Sequence, residues 1–488
     1  MKRLLIETCI VLQVVLFASC NEWLDVKPSS EMEREELYDT KDGFKSALSG
    51  CYIKMKDNML YGQAMTMTTV EYLAQHWETK AEQVENFMDF DWEASYAKTI
   101  RSGIWSAMYG VINQLNDLLI QLEIRGKEVL PEAKLRHLIQ GEALALRAFC
   151  HFDILRLYGP SPVSPDKASV SLPYSEESGK ELRTYYDYDA YCEKIWKDIL
   201  EAERLLGEVD PVLELTFEEL NDPSKLLKSN KIEDDFQAYR RIRFNYWAVK
   251  AFKARVALYL GDKSAAYDYA MEVVNAKVQE KPVGDLSAIN ADIAKEYYTL
   301  PSETLCALNV FDLKDKIESI FRNAQGVLYK WETEQAVILN LFEEQTSDIR
   351  SKLWVPMDYD DQRQVSTKKY WQGDEDEDSE AAIYSQQIPL LRMAEMYLIA
   401  IETAPTLAER NEKLDLFRRD RGLPAKVCVT EEELQGEVLK EYQKEFYAEG
   451  QMFFYYKRLG VKEMRWKESR KTELYEYQMP LPESEFTY

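Results

Sequence analysis

The sequence predicts a mainly α-helical protein built from irregular helical repeats that one loop-rich insertion interrupts. Apolar residues recur at steps of three and four over long stretches, and glycine or proline ends those stretches. Between about residues 280 and 388 this pattern weakens, and turn residues, mixed charge and aromatic residues replace it. A chain of 488 residues is long enough for three domains or for one large repeat array.

The N-terminus has the architecture of a signal peptide, which we assign to residues 1–19. Lys2 and Arg3 provide a positive start, and a mostly apolar run of about a dozen residues follows. That run is shorter than the roughly 20 apolar residues that cross a membrane. Two small residues precede Cys20, so we predict that Cys20 carries an anchoring lipid. Phe17 stands where such signals usually have leucine, and ordinary cleavage before an unmodified cysteine is the alternative.

The helical pattern is clearest in four segments. Residues 131–160 place their apolar side chains on one face, between a proline in the first turn and a final Gly-Pro. A helix over 243–262 is followed at once by another over 263–276, with small residues at the crossing as in tetratricopeptide hairpins. The same unit is predicted again at 388–422. One long helix is predicted from about Glu431 to Tyr456.

Composition excludes several classes of partner and site. The formal net charge of −25 would repel phosphate backbones, so we expect no nucleic acid partner. The three histidines lack a metal-binding helical spacing and there is no C-x-x-C pair, so neither a zinc site nor a cofactor is predicted. The run Asp374–Asp378 could hold calcium, but a solvated charged loop is the preferred interpretation.

Motifs for catalysis are absent from the sequence. There is no P-loop, G-x-G-x-x-G, G-x-S-x-G or H-E-x-x-H. A glycosidase needs only two carboxylates, which the sequence cannot reject. Irregular helical-repeat surfaces are usually used for contact, however, so binding is the leading function class and no enzymatic activity is predicted.

Several motifs follow one another in a specific order along the chain. They begin with "SCNEWLDVKPSSE" and "ALSGCY", continue with "IWSAMYGVINQLNDLL", "GEALALRAFCHFDILRLYGPSPV" and "IPLLRMAEMYLIAIE", and end with "MPLPESEF". Together they resemble the SusD/RagB family of outer-membrane nutrient-binding lipoproteins from Bacteroidetes over nearly the whole chain. In "EYQKEFYAEGQMFFYYKRLG", Gln443 and Met452 stand where that family has arginines.

The resemblance implies tetratricopeptide-like hairpins packed against an irregular, loop-rich lobe, in a single domain of residues 20–488 with the insertion at about 280–388. It implies a lipid-anchored protein on the cell surface, at the outer membrane. Such a protein binds an oligosaccharide or polysaccharide and delivers it to a SusC-like TonB-dependent transporter. Binding of peptide or another nutrient by the same architecture is one alternative, and a helical-repeat scaffold without a small ligand is the other.

Two motif arginines lie on otherwise apolar helices, where a charge persists only if it is paired. Glu142 lies five residues from Arg147, too far round the helix for a good pair. We therefore predict that Arg147 bonds another helix. Arg392 and Glu395, three residues apart, can meet directly.

Aromatic residues are the predicted ligand contacts. The chain has 10 tryptophans and 31 tyrosines, more than a core usually requires, and sugar rings stack on both side chains. Aromatic residues in polar loops are more often exposed than those on amphipathic helices, so Trp105, Trp196 and Trp247 are assigned to the core. We expect two or three of six loop residues to face a shared groove: Trp77, Trp92, Trp354, Tyr359, Tyr370 and Trp371.

Overall fold

A computed structural model describes residues 36–179, 184–288, 299–323, 326–359, 362–370, 386–467 and 471–486. Helices dominate these ranges, which confirms the predicted fold class. The predicted signal peptide, Cys20 and the run Asp374–Asp378 lie outside the described residues. Within the described ranges, no helix is both long and apolar enough to cross a membrane.

The elements are numbered in chain order. The helices are α1 (Lys41–Met55), α2 (Thr69–Leu73), α3 (Glu82–Met88), α4 (Ser95–Val129), α5 (Ala133–Tyr158), α6 (Tyr188–Val209), α7 (Pro223–Lys228), α8 (Tyr246–Leu260), α9 (Lys263–Val274), α10 (Leu313–Phe321), α11 (Glu334–Asn340), α12 (Met393–Thr403), α13 (Leu407–Asp420), α14 (Glu431–Phe446) and α15 (Met452–Leu459). The strands are β1 (Ser171–Pro173), β2 (Tyr185–Asp187), β3 (Lys277–Val278), β4 (Lys281–Pro282), β5 (Thr304–Asn309), β6 (Arg322–Asn323), β7 (Gly326–Val327), β8 (Trp354–Tyr359), β9 (Gln362–Thr367) and β10 (Gln387–Arg392).

Helices that pack in pairs build the larger part of the described chain. α4 packs on α5, α5 on α6, α8 on α9, and α12 on both α9 and α13. At the α5–α6 crossing, a Cβ atom on Gly141 would lie 2.8 Å from Leu206, so this approach depends on glycine. Asn245 and Asp262 cap α8 and α9, and Gly261 between them has a φ of 90°. The predicted α8–α9 hairpin is therefore confirmed.

Two helix boundaries differ from the prediction. Gln387–Arg392 form a strand that pairs with β5 and do not open a helix. The helix predicted over 431–456 is two helices, because Ala448 and Gly450 between them have left-handed φ angles of 61° and 71°. The carboxylate of Glu71 accepts the backbone N–H groups of both residues at 2.9 Å, which replaces the hydrogen bonds that a continuous helix would supply.

Residues 299–392, which overlap the loop-rich insertion predicted at about 280–388, contain six short strands and two short α-helices in their described part. We term this segment the strand region. Together with a few residues from elsewhere in the chain it has its own apolar core, separate from that of the helical hairpins. The loop-rich lobe of the predicted fold class is confirmed, but the strands in it were not predicted, because they are short and carry no sustained alternation of polar and apolar residues.

Buried charged side chains connect the strand region to the helical hairpins. Arg392, at the end of β10, donates to Glu445 at 2.7 Å and to Glu449 at 2.8 Å. Arg421 donates to Glu303 at 2.6 Å and to Glu445 at 3.0 Å. We term these residues, together with Arg350 at 3.2 Å from Glu445, the lobe junction.

Glu445 stays ionised although it is buried, because three arginines surround it. Burial by itself would raise the pKa of its carboxyl group, but the neighbouring guanidinium groups of Arg421, Arg392 and Arg350 hold that pKa well below its usual range. The shared carboxylate therefore stays charged and ties three arginines together.

The two motif arginines pair with different helices. Arg147 donates to Asp198 of α6 at 2.7 Å, which confirms the predicted bond to another helix. The predicted pair of Arg392 with Glu395 is wrong, because Glu395 accepts from Arg255 at 2.6 Å. Arg392 ends a strand and Glu395 begins a helix, so the helical spacing that motivated the prediction does not apply.

Candidate ligand-binding site

Four of the six predicted loop residues are buried. Trp77, Trp92, Trp354 and Tyr370 each expose 9% or less of their surface. The indole N–H groups of Trp77 and Trp92 and the hydroxyl of Tyr370 donate to main-chain oxygens at 2.8, 3.0 and 2.9 Å. The structure thus buries four of the six residues of which we expected two or three to face a shared groove, because tertiary contacts enclose their rings. Ligand contact by any of the six stays a prediction.

The other two predicted residues cannot be placed in the same way. The side chain of Tyr359 and the whole of Trp371 lie outside the described residues, so their role stays a prediction. Of the tryptophans assigned to the core, Trp105 is buried, whereas Trp196 and Trp247 are half-buried on their helices.

Trp77 and Trp354 do lie together, around the ring of Tyr447. The ring centroid of Tyr447 lies 5.1 Å from that of Trp77 and 4.7 Å from that of Trp354. On a third side it stacks on His76 at 4.2 Å, with 7° between the ring planes. These four rings and two further tryptophans are termed the aromatic cluster: His76, Trp77, Trp331, Trp354, Tyr447 and Trp466.

Trp331 and Trp466 form the outer pair of this cluster. Their ring centroids are 5.0 Å apart and their planes meet at 85°, so the two indoles make a corner. Both side chains are only half-buried. The backbone of Trp466 has a φ of 68°, a left-handed conformation that a bulky residue rarely adopts and that tends to occur at functional positions.

Neighbouring residues hold the outer pair in place. Trp331 forms an antiparallel bridge with Val365 of β9. The guanidinium of Arg465 lies 4.9 Å from the centroid of the Trp466 ring and donates to Gln443 at 2.9 Å. The corner is therefore preorganised for a ligand. A backbone bridge fixes Trp331, and a hydrogen-bonded arginine side chain packs against the ring of Trp466.

Sequence reasoning missed both residues of the outer pair. Trp331 occurs in "LYKWETE" and Trp466 in "EMRWKES", where no helical or strand periodicity points to one face. Both indoles stand between charged neighbours, but so does Trp92, which is buried, so this local pattern does not identify the open rings.

A buried carboxylate supports the inner side of the cluster. Glu71 binds His76 Nδ1 at 2.6 Å, and the same carboxylate accepts the Ala448 and Gly450 amides described above. The hydroxyl of Tyr447 donates to the main-chain oxygen of His76. Burial raises the pKa of Tyr447 well above its usual value, so this hydroxyl keeps the proton that it donates.

A cavity of about 340 Å³ adjoins the cluster and shares Trp354 with it. Val337 and Ile338 of α11 supply apolar wall, while Thr346, Ser351 and Lys352 supply hydroxyl and ammonium groups. Glu334 adds a carboxylate. One indole beside apolar and polar groups suits a ligand that has both apolar and hydroxylated surfaces.

The part of the chain that the structure describes contains no group of three histidine, cysteine, aspartate or glutamate side chains that could hold a metal ion. Since Asp374–Asp378 lie outside that part, the structure does not test a calcium site in this run.

Comparisons with family models, curated proteins and solved structures all match SusD-like proteins. The sequence model of a family described as "Starch-binding associating with outer membrane" matches residues 22–258, and that of the "SusD family" matches residues 357–486. A SusD-like protein from Formosa agariphila is 23% identical over 281 residues, which cover 55% of this chain. The match spans 46% of that relative, less than half of its length.

Solved structures resemble the whole fold. A SusD superfamily protein from Bacteroides thetaiotaomicron is 19% identical with a TM-score of 0.69, covering 92% of this chain and 97% of that one. A putative sugar binding protein from Bacteroides vulgatus is 18% identical with a TM-score of 0.63, covering 92% and 96%. A laminarin binding SusD-like protein is 17% identical with a TM-score of 0.60, covering 92% and 97%. At these identities the likeness establishes the fold alone.

Proposed function

The chain belongs to the SusD/RagB family, and from that premise we propose that it binds a glycan at the cell surface through its aromatic cluster. The observation that carries the proposal is the outer pair, Trp331 and Trp466, which presents two half-exposed indoles at right angles. An indole face covers the apolar C–H face of a sugar ring. The ring centroid of Trp354, 6.0 Å from that of Trp331, links the outer pair to the cavity whose polar groups could satisfy the sugar hydroxyls.

The geometry favours a glycan over the two alternatives. A scaffold without a small ligand does not account for two partly exposed indoles that are held at 85° to each other. A peptide is usually captured by rows of main-chain donors and acceptors, whereas the outer pair supplies two partly exposed aromatic rings. Names among the relatives agree, since one solved relative is described as sugar binding and another as laminarin binding.

Anchoring and delivery are part of the same proposal. We propose that the lipid on Cys20 holds the protein at the outer membrane, on the cell surface, and that a SusC-like TonB-dependent transporter receives the glycan. The family description that includes association with the outer membrane supports this location. One lipid-modified cysteine with several acyl chains buries enough methylene groups for stable attachment.

Membrane attachment is tested by fractionating cells that express the full chain. Wild-type protein is expected in the outer-membrane fraction, and Cys20→Ala is expected in the soluble fraction. Cys9→Ala is the matched control, because it changes a cysteine of the same leader and should leave attachment intact. Membrane attachment of the Cys20→Ala protein would contradict lipidation at this residue.

Glycan binding is tested by electrophoresis through gels that contain a polysaccharide. Starch and laminarin, the two glycans that the relatives' descriptions name, are compared with mannan and xylan. We expect at least one of the four to slow the protein, and no new reducing ends to appear on incubation. Unchanged mobility in every gel, together with binding of a peptide digest, would favour the peptide alternative and overturn the proposal.

A further inference from the structure

Trp466 lies between two cationic residues, Arg465 and Lys467, and its backbone has the left-handed φ of 68° described above. For an L-residue with a bulky side chain this conformation costs free energy. It therefore persists only where surrounding contacts hold it. The hydrogen bonds of the two neighbouring residues show which contacts hold it here.

Arg465 fixes the segment on one side. Its guanidinium donates to the main-chain oxygen of Asn340 at 2.6 Å and to the side-chain oxygen of Gln443 at 2.9 Å. Asn340 is the last residue of α11, where main-chain oxygens lack partners within the helix. Because α11 also lines the cavity beside the aromatic cluster, Arg465 ties Trp466 to a wall of that cavity.

Lys467 fixes the segment on the other side. Its buried ammonium donates to the main-chain oxygen of Met88, the last residue of α3, at 3.0 Å and to Asp89 Oδ1 at 2.8 Å. The side chain of Gln75 donates to the same Met88 oxygen at 3.0 Å. Gln75 directly precedes His76 in the chain, so Lys467 ties its neighbour to the inner side of the aromatic cluster.

We propose that Arg465 and Lys467 are positioning residues of the glycan site, an inference that rests on the proposed function. Each side chain fixes one flank of Trp466 to a different helix end, and together the two keep its indole against Trp331. Removal of either cation frees one flank, and an indole that moves freely loses conformational entropy on binding. The site then loses affinity although both tryptophans remain.

Arg465 is half-buried, so a direct bond from its guanidinium to the glycan is the competing explanation. The two roles differ in how substitutions combine. A positioning residue acts through Trp466, so Arg465→Met lowers the affinity only while Trp466 is present. A residue that contacts the glycan itself lowers the affinity whether or not Trp466 is present.

The test removes the cations one at a time. Arg465→Met and Lys467→Met delete the donors and keep an unbranched apolar chain. Arg136→Met is the matched control, because Arg136 is also half-buried and donates at 2.6 Å to the main-chain oxygen of Leu130, which directly follows α4. Arg136 lies on α5, whose buried apolar residues belong to the separate core of the helical hairpins.

Two readouts measure position and binding separately. Fluorine NMR of protein labelled with fluorotryptophan reports the surroundings of both outer indoles, whose signals are assigned by their loss in Trp331→Phe and Trp466→Phe. Calorimetric titration uses an oligosaccharide cut from whichever polysaccharide slows the wild-type protein. We expect Arg465→Met and Lys467→Met to shift or broaden both signals and to lower the affinity at least about threefold. Arg136→Met should change neither readout. In protein that carries Trp466→Ala, Arg465→Met should cause no further loss of affinity.

Failure of this proposal can be told apart from failure of the proposed function. If both methionine variants bind the saccharide as the wild type does, the positioning role is overturned and the proposed function stands. An equal loss of affinity in Arg136→Met, or a further loss from Arg465→Met in Trp466→Ala protein, also overturns it. If Trp466→Ala abolishes binding, the fluorine signals decide, and unchanged signals in Lys467→Met overturn the proposal. If wild-type protein binds none of the four polysaccharides, both proposals fail.

Discussion

The lobe junction and the aromatic cluster meet in one short segment, residues 445–450, and use it for opposite purposes. Glu445 and Glu449 point to buried arginines, whereas Tyr447 between them packs among the rings of the cluster. At the junction almost every charge is enclosed and paired. The cluster instead ends at two half-exposed indoles.

This difference separates what holds the fold from what meets a ligand. Enclosed ion pairs fix the strand region against the helical hairpins, and any loss there leaves an uncompensated charge. Half-exposed rings contribute less to stability, and the protein keeps them in place through the segment that the junction fixes. Substitutions at the junction should therefore act on folding, and substitutions at the outer pair should act on binding.

The largest expected loss of stability is at the lobe junction. Glu445→Gln should lower the free energy of unfolding by about 3–5 kcal/mol, because three guanidinium groups lose the charge that they share. Urea denaturation measures this change. Glu208→Gln, which removes the exposed partner of Arg204, is the control and should leave the midpoint unchanged. Equal midpoints for the two variants would show that the junction does not hold the fold.

The second largest expected effect is a difference in stability loss between a buried tryptophan and an outer tryptophan of the aromatic cluster. Trp77 is fully buried, so Trp77→Ala should cost about 3–5 kcal/mol of stability. Trp466→Ala should cost less than half as much, since that ring already contacts solvent. The same denaturation series compares them. A loss at Trp466 as large as that at Trp77 would mean that the outer ring is a packing residue.

Acid should weaken the contacts of the lobe junction. Glu441 of α14 accepts from Arg350 of the lobe junction at 2.6 Å. Burial would raise the pKa of its carboxyl group, but Arg350 and Lys444 lower that pKa to about 2. Its folded pKa thus lies below the unfolded value, so its stabilisation is complete above about pH 4.5 and is lost as the pH falls toward 2. Glu303, whose pKa burial raises, opposes this trend by taking up a proton earlier.

The direction of this pH effect on stability can be checked with one variant. The difference in unfolding free energy between wild-type protein and Glu441→Gln should shrink as the pH is lowered from about 6 toward 2. A difference that stays constant over that range would contradict the low pKa of Glu441.

The sequence predicts the helical part better than the strand region, for a physical reason. Helical periodicity and capping residues are local features of the sequence. The α8–α9 hairpin and the end of α5 near Gly159 could therefore be predicted from neighbouring residues alone. The break at Ala448 depends on Glu71, hundreds of residues away in the chain. No local pattern contains that partner.

The candidate site was predicted only in part for the same reason. Trp77 and Trp354 belong to the cluster, but neighbours distant in sequence bury them. Trp331 and Trp466 are brought together by the fold, and neither stretch alone indicates that the two indoles meet. An aromatic surplus predicts that stacking surfaces exist, while tertiary contacts decide which rings remain open.

The most direct measurement of the central claim is the affinity of the outer pair for a glycan. Calorimetric titration compares wild-type protein, the Trp331→Ala/Trp466→Ala variant and Trp196→Ala, a half-buried tryptophan on α6 that serves as control. We expect the double variant to lose at least about tenfold in affinity, about 1.4 kcal/mol, and Trp196→Ala to bind as the wild type does. Wild-type affinity in a folded double variant would contradict the account.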